Sequence, residues 1–252
     1  MEIVWQIISE FPMLLELLII GVVCVVAYVV GLVVWIFRYY RKTTYYKDTR
    51  NGYLYIRFFD HGKYGEYQTY KKLSSLEKDG AKFLFNAIIP REDGRTSEID
   101  VIMLSQKGVF VFESKNYSGW IFGDESQKMW TQSIPQGQGR KSRKERFYNP
   151  VMQNRGHIKY LTSFIKREIP TFSVIVFSER CELKKITLHS SDIPVIKREC
   201  LFDCVMKILA EKADALSSDD VSEIYSLLYP YTQLGEEALK KHIEDIKNDI
   251  AE

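Results

Sequence analysis

Between Leu17 and Phe37 the chain reads LLIIGVVCVVAYVVGLVVWIF, without one charged side chain. At about 1.5 Å of rise per residue, a helix of this length covers roughly 30 Å, the thickness of a bilayer's hydrocarbon core. A helix that is apolar all round has no wet face, so it needs either lipid or a core built around it. Glu2, Glu10 and Glu16 precede the run, and Arg38, Arg41, Lys42, Lys47 and Arg50 follow it. Basic residues collect on the cytoplasmic side of membrane spans, which predicts an outside N-terminus and a cytoplasmic C-terminal body. Trp35, Tyr39 and Tyr40 fall where aromatic rings gather at a membrane surface. Neither the basic start nor the small-residue cleavage site of a removable leader is evident. The expectation is a single-pass protein: anchor 1–40, crossing the membrane through residues 17–37, then a juxtamembrane tether 41–62 and a folded body.

That body has material for a core, since 46% of the chain is apolar. Formal net charge is +2, so no field covers the whole molecule, and any nucleic-acid contact needs a local basic patch. Cys24 lies in the apolar run, and Cys181, Cys200 and Cys204 have no CxxC spacing, which predicts reduced thiols. No Walker loop, GxGxxG, HExxH or Ser/His/Asp order is present.

The chemistry concentrates in Ser97–Gly119, SEIDVIMLSQKGVFVFESKNYSG. Strands over Ser97–Leu104 and Val109–Lys115 flank a turn, Ser105–Gly108, in which Gly108 supplies positive φ. Leu104 opposite Val109 sets the register, placing Asp100 opposite Glu113 and Glu98 opposite Lys115. Opposed residues have Cβ atoms roughly 4.5–5.5 Å apart. Alternation keeps all four on one face. Three acids and a lysine make a poor core and a good seat for a hard divalent cation.

Around the hairpin, Lys63–Leu76 reads as a helix with Tyr67, Tyr70, Leu73 and Leu76 as its apolar stripe and Glu66 at the edge of that stripe. Tyr53–Phe59 is read as either a short strand or a segment near lipid headgroups. Ala81–Ile89 reads as a strand. Asp124–Tyr148 reads as a long polar loop holding Arg140, Lys141, Arg143, Lys144 and Arg146, either simply solvated or contacting phosphates. Asn149-Pro150 opens a helix as N-cap and first residue. Val151, Ile158, Leu161 and Ile165 form its apolar face, and Gln153, His157 and Tyr160 fall on another. Strands are expected at Phe172–Phe177 and Ile193–Ile196, and helices at Leu201–Ala215 and Asp219–Leu228. The tail after Gly235 reads as a charged amphipathic helix that packs on the body or engages a protein partner, including a second copy.

Two opposed carboxylates can hold Mg²⁺ or Mn²⁺ with waters and a substrate phosphate. A lysine two residues on can orient or activate water, Glu66 can complete the site, and Gln153 can hold the lysine. Together these describe metal-dependent phosphodiester hydrolysis. Gly65-Glu66, Glu98-Ile99-Asp100-Val101, Gly108–Asn116, Gly119, Gly123, Trp130 and Asn149-Pro150-Val151-x-Gln153 resemble the NERD (nuclease-related domain) family of the PD-(D/E)xK nuclease-like superfamily. The resemblance covers about Tyr64 to Tyr160 well and runs more loosely to Leu228.

It implies an α/β fold, a central mixed β-sheet flanked by helices in the manner of restriction endonucleases, over residues 63–200, with helices in 201–252 completing or extending it. It also implies a catalytic set of Glu66, Asp100, Glu113 and Lys115 with Gln153 as accessory; Asp100 and Glu113 are the expected metal ligands, and DNA is the expected substrate, with RNA as the alternative. Ile99 stands where the superfamily has proline, as is usual in NERD domains. Glu98 stands where these domains often have Gln, and its place opposite Lys115 lets it either pair with the lysine or add a metal ligand. The expectation is a membrane-anchored Mg²⁺- or Mn²⁺-dependent nuclease; the other reading is a silent nuclease-like module that binds or scaffolds.

Overall fold

The computed structural model describes residues 12–251. Glu2 and Glu10 lie outside that range. The chain forms two compact units, residues 1–47 and 48–252. In the first, helix α1 (Pro12–Lys42) contains one stretch, Leu15–Lys42, long and apolar enough to cross a membrane, with a mean hydropathy of 3.1 over 18 of its residues. Its last turn carries Arg41 and Lys42, the charge sign that a helix C-terminus favours.

The second unit opens with helix α2 (Tyr53–Phe58), so this segment is helical and not a strand. Helix α3 (His61–Leu73) follows, its N-cap Asp60 accepting the Lys63 N–H at 3.0 Å. The expected stripe is buried: Tyr67, Tyr70, Leu73 and, in the 3₁₀ turn Ser74–Asp79, Leu76.

Strands β1 (Lys82–Pro90), β2 (Thr96–Ser105) and β3 (Gly108–Lys115) form an antiparallel meander. β7 (Thr171–Phe177) lies parallel to β3, and β9 (Val195–Lys197) parallel to β7, giving a mixed five-stranded sheet in the order β1-β2-β3-β7-β9. The β2–β3 turn is tighter than expected, since Ser105 already pairs with Gly108. Gly108 has φ +138°, and a Cβ there would stand 2.2 Å from the Pro170 carbonyl oxygen. The site therefore demands glycine both for its backbone angle and for the passing chain.

The polar loop expected over Asp124–Tyr148 is instead mostly strand. β4 (Gly119–Asp124), β5 (Met129–Ile134), β6 (Arg143–Tyr148) and β8 (Cys181–Thr187) build a second sheet in the order β6-β5-β4-β8. Its cause is Trp130, 1% exposed, which stacks parallel to Phe177 at 6.3 Å and carries β5 into the core. Gly123 makes room for that indole: a Cβ would come within 2.1 Å of the ring. Polar side chains dominate β6 because that edge strand faces water along most of its length.

Helix α4 (Pro150–Ile165) packs Leu161 into a cluster with Leu84, Ile102 and Val111, while its Val151 joins Ile121, Trp130 and Phe177 between the sheets. Helix α5 (Leu201–Glu211) and helix α6 (Ser218–Leu228) follow. Ser217 caps α6 in a reciprocal capping box with Asp220. Val221, Ile224 and Leu228 close the first cluster. Helix α7 (Glu236–Ala251) ends the described chain.

Candidate active site

The hairpin register is the one counted from its turn: Leu104 faces Val109, and Val101 faces Phe112. There the β2–β3 ladder stops. One step on, Asp100 Oδ2 accepts the Ser114 N–H at 2.9 Å, so a carboxylate takes the bond that a strand carbonyl would otherwise make. Beyond this point β2 stays paired with β1 only, Glu98 facing Ile88. The expected Glu98–Lys115 opposition is therefore corrected: Glu98 Oε2 lies 3.2 Å from His242 Nε2 on α7, while Lys115 turns to other partners.

Those partners come from β3 and α4. Lys115 Nζ lies 2.6 Å from Glu113 Oε1 and donates to Gln153 Oε1 at 3.1 Å. Glu113 is 1% exposed and the Lys115 side chain 16%. One helical turn past Gln153, His157 Nε2 stands 3.3 Å from Glu113 Oε2, and its Nδ1 is 2.8 Å from Ser97 Oγ. The sequence put His157 on one face with Gln153 but gave it no role; the i, i+4 spacing was the available signal. Asn149 sets the height of that helix. Its Oδ1 accepts from Val151 N–H at 2.9 Å, and its Nδ2 donates to the Glu125 and Gln127 carbonyls at 2.9 and 2.8 Å. Asn154 then fixes α4 to the sheet by donating to Val111 O at 2.9 Å and Ser173 Oγ at 2.8 Å.

Glu66 arrives from α3. Gly65 allows the approach, because a Cβ there would lie 2.7 Å from the Asn116 Cβ. Thr69 and Ser114 hydroxyls meet at 3.1 Å one turn on. Glu66 Oε2 accepts from Asn86 Nδ2 at 2.7 Å, a residue on β1 that sequence reasoning did not single out. Glu66, Asp100, Glu113, Lys115 and Gln153 thus converge from α3, β2, β3 and α4.

The basic residues take a different position. Arg143, Lys144 and Arg146 are exposed on β6, and Arg140 and Lys141 precede it. Tyr117, two residues after Lys115, packs edge-on against Phe147 of the same strand at 4.8 Å. This aromatic pair joins the C-terminal end of the basic strand to the lysine's segment.

Burial dominates the electrostatics. It raises Glu66 well above the ordinary carboxylate value, helped by the Asp100 charge and opposed by the Asn86 hydrogen bond. Burial and the Glu113 charge push Asp100 up to about 7. Burial would raise Glu113 too, but the Lys115 ammonium and His157 outweigh it and hold the carboxyl low. Burial would lower Lys115, and the Glu113 and Asp100 charges reverse this and raise it. The site thus holds a fixed Glu113–Lys115 ion pair beside two carboxyls whose pKa values are raised.

Both Glu113 oxygens are buried, Oε1 against the Lys115 ammonium and Oε2 beside His157 Nε2. A buried anion whose charge reaches a second carboxylate suits an oxygen-seeking divalent cation, since each carboxylate oxygen accepts more than one partner. Among the described residues no three His, Cys, Asp or Glu donors gather around one point. Asp100 and Glu113 would therefore hold Mg²⁺ or Mn²⁺ mainly with water and substrate oxygens, the habit of Mg²⁺.

Comparison with known proteins gives the same segment a family. The nuclease-related domain (NERD) model matches residues 61–178, from the start of α3 to the end of β7. An uncharacterised protein of Bacillus anthracis is 33% identical over 190 residues, covering 75% of this chain and 85% of that protein. No solved structure matches. The chain belongs to the NERD, nuclease-related domain, family.

Proposed function

We propose that this protein is a Mg²⁺- or Mn²⁺-dependent nuclease that hydrolyses phosphodiester bonds of DNA or RNA, anchored through residues 17–37 with its body on the cytoplasmic side. The observation that carries the reading is Glu113: a carboxylate buried at the centre of a sheet, kept ionised by Lys115, with Asp100 near enough to feel its charge. A family of nuclease-related domains supports the same reaction class.

When bound, the cation supplies charge neutralisation for the phosphate as its bond to the leaving oxygen breaks. The chain's own groups do the rest. Asp100 and Glu113, both ionised, would hold the cation. Lys115, protonated, presents an N–H to water or a phosphate oxygen, and Gln153 limits its motion. Glu66 receives a proton from water within the cluster, a task suited to a carboxyl whose pKa is raised. Arg140, Lys141, Arg143, Lys144 and Arg146 hold the nucleic-acid backbone along β6.

A second reading is favoured by the same ion pair: Lys115 is closed onto Glu113 and Gln153, which suits a nuclease-like module that binds nucleic acid without cutting it. Full-length protein in detergent, incubated with labelled DNA and RNA plus Mg²⁺, Mn²⁺ or chelator, separates the two. Metal-dependent cutting lost in Glu113→Gln and Lys115→Ala is the expected result. Cutting that survives both substitutions overturns the site, and binding without cutting selects the second reading.

A further inference from the structure

Asn86 sits in the middle of β1, yet its φ is +50°, in the left-handed region. A residue with a Cβ seldom adopts that conformation, and Asn is among the side chains that tolerate it best. The ladder on either side is regular: Phe85 faces Val101, and Ala87 faces Ile99. By that count Asn86 lies across from Asp100, and this one pair is missing from the ladder. The twist does two things. It frees β2 at the residue whose carboxylate turns to the Ser114 N–H. It also carries the Asn86 amide to Glu66 Oε2, 2.7 Å away on α3. On its other side Asn86 lines a cavity of about 390 Å³ together with Lys63 and Glu98.

We propose that Asn86 is a positioning residue: its left-handed kink in mid-strand aims a side-chain amide at Glu66 and fixes that carboxylate against Asp100. Backbone strain kept inside a sheet, with the strained residue bonded to a cluster of acids, is the pattern of strain held for a task. An asparagine present only to fill the strand would keep extended backbone and leave the Asp100 pairing intact. The proposal rests on the reading of Glu66 as part of the nuclease site.

The test uses the full chain in detergent with labelled DNA and Mn²⁺. Asn86→Gly keeps the left-handed backbone and removes the amide. Asn86→Asp keeps the shape and removes the donor. Both are expected to lower kcat by about 10–100-fold with KM unchanged, the usual effect of loosening a supporting residue. Asn86→Gly should melt no lower than wild type. At pH 8 Asn86→Asp should melt lower, and adding Glu66→Gln should restore it, because donor and acceptor have then exchanged sides. Wild-type kcat in Asn86→Gly, or a swapped pair no more stable than its two single changes added together, overturns the proposal. If wild-type protein cuts nothing, the nuclease reading falls, and the unfolding of the swapped pair alone decides whether Asn86 holds Glu66.

Discussion

Replacing Lys115 by Met tests the ion pair on which the site depends. Nζ and Glu113 Oε1 are 2.6 Å apart. At an effective dielectric of about 20 that separation is worth about 6 kcal/mol of attraction. The full amount is not lost, because Glu113 can escape by taking up a proton, and lysine's own burial penalty vanishes with it. Removing one partner of a buried pair costs about 3–5 kcal/mol in practice. For a body of this size each kcal/mol moves the melting temperature by about 2–4 °C, so the expected fall is about 6–20 °C at pH 8.

The pH dependence is more diagnostic. In wild type Glu113 is held below its unfolded value, so its stabilising contribution is present above the unfolded carboxylate range and is lost as pH falls through the lowered folded value. Without Lys115, burial lifts the folded value above the unfolded one, and the penalty grows as pH rises through it. The variant's deficit should therefore shrink from pH 8 toward pH 5. Adding Glu113→Gln should recover most of the loss at pH 8. The four tryptophans allow melting to be followed by intrinsic fluorescence. If Lys115→Met melted with wild type at pH 8, or if its deficit were the same at pH 5, the ion pair would not be what keeps a buried carboxylate charged.

Three further outcomes follow from the same geometry. Asp100 has a folded value of about 7, raised above its unfolded value, so its stabilising contribution is present below the unfolded value and is lost as pH rises through about 7; Mn²⁺ should accordingly raise the melting temperature more at pH 8 than at pH 5.5, and Asp100→Asn should erase the difference. Lys144→Gln with Arg146→Gln should weaken DNA binding and flatten its log-log salt dependence by about 2, measured by fluorescence anisotropy, with no change in melting. Gly65→Ala places a Cβ 2.7 Å from that of Asn116, so α3 must shift; a stability loss of about 1–3 kcal/mol in denaturant melts and a larger proportional loss of cutting are expected.

How much of this was readable in the sequence depended on how local the controlling interaction is. The hairpin register was readable because a tight turn and a period of two leave one alignment that buries Ile102, Val109 and Val111. The start of α4 was readable because Asn149-Pro150 is a capping signal in itself. Trp130 was noticed as a motif residue, but its power to draw a polar segment into a second sheet depends on Phe177, far along the chain. The fate of Glu98 was hidden for the same reason, since His242 is 144 residues away. Asn86 was invisible because a backbone angle leaves no mark on composition.

The second sheet is not a cassette that can be lifted out. β4, β5 and β6 lie between β3 and α4, whereas β8 comes from beyond β7 and pairs with β4 in parallel. The chain thus leaves the first sheet, builds three strands, returns to it through β7, and leaves again to finish the second. A protein shortened between Lys115 and Asn149 would keep β8 as a lone strand with unpaired edges, an invitation to pair with other copies. Relatives that differ in this region are therefore expected to gain or lose β8 together with the β4–β6 segment, as one coupled change.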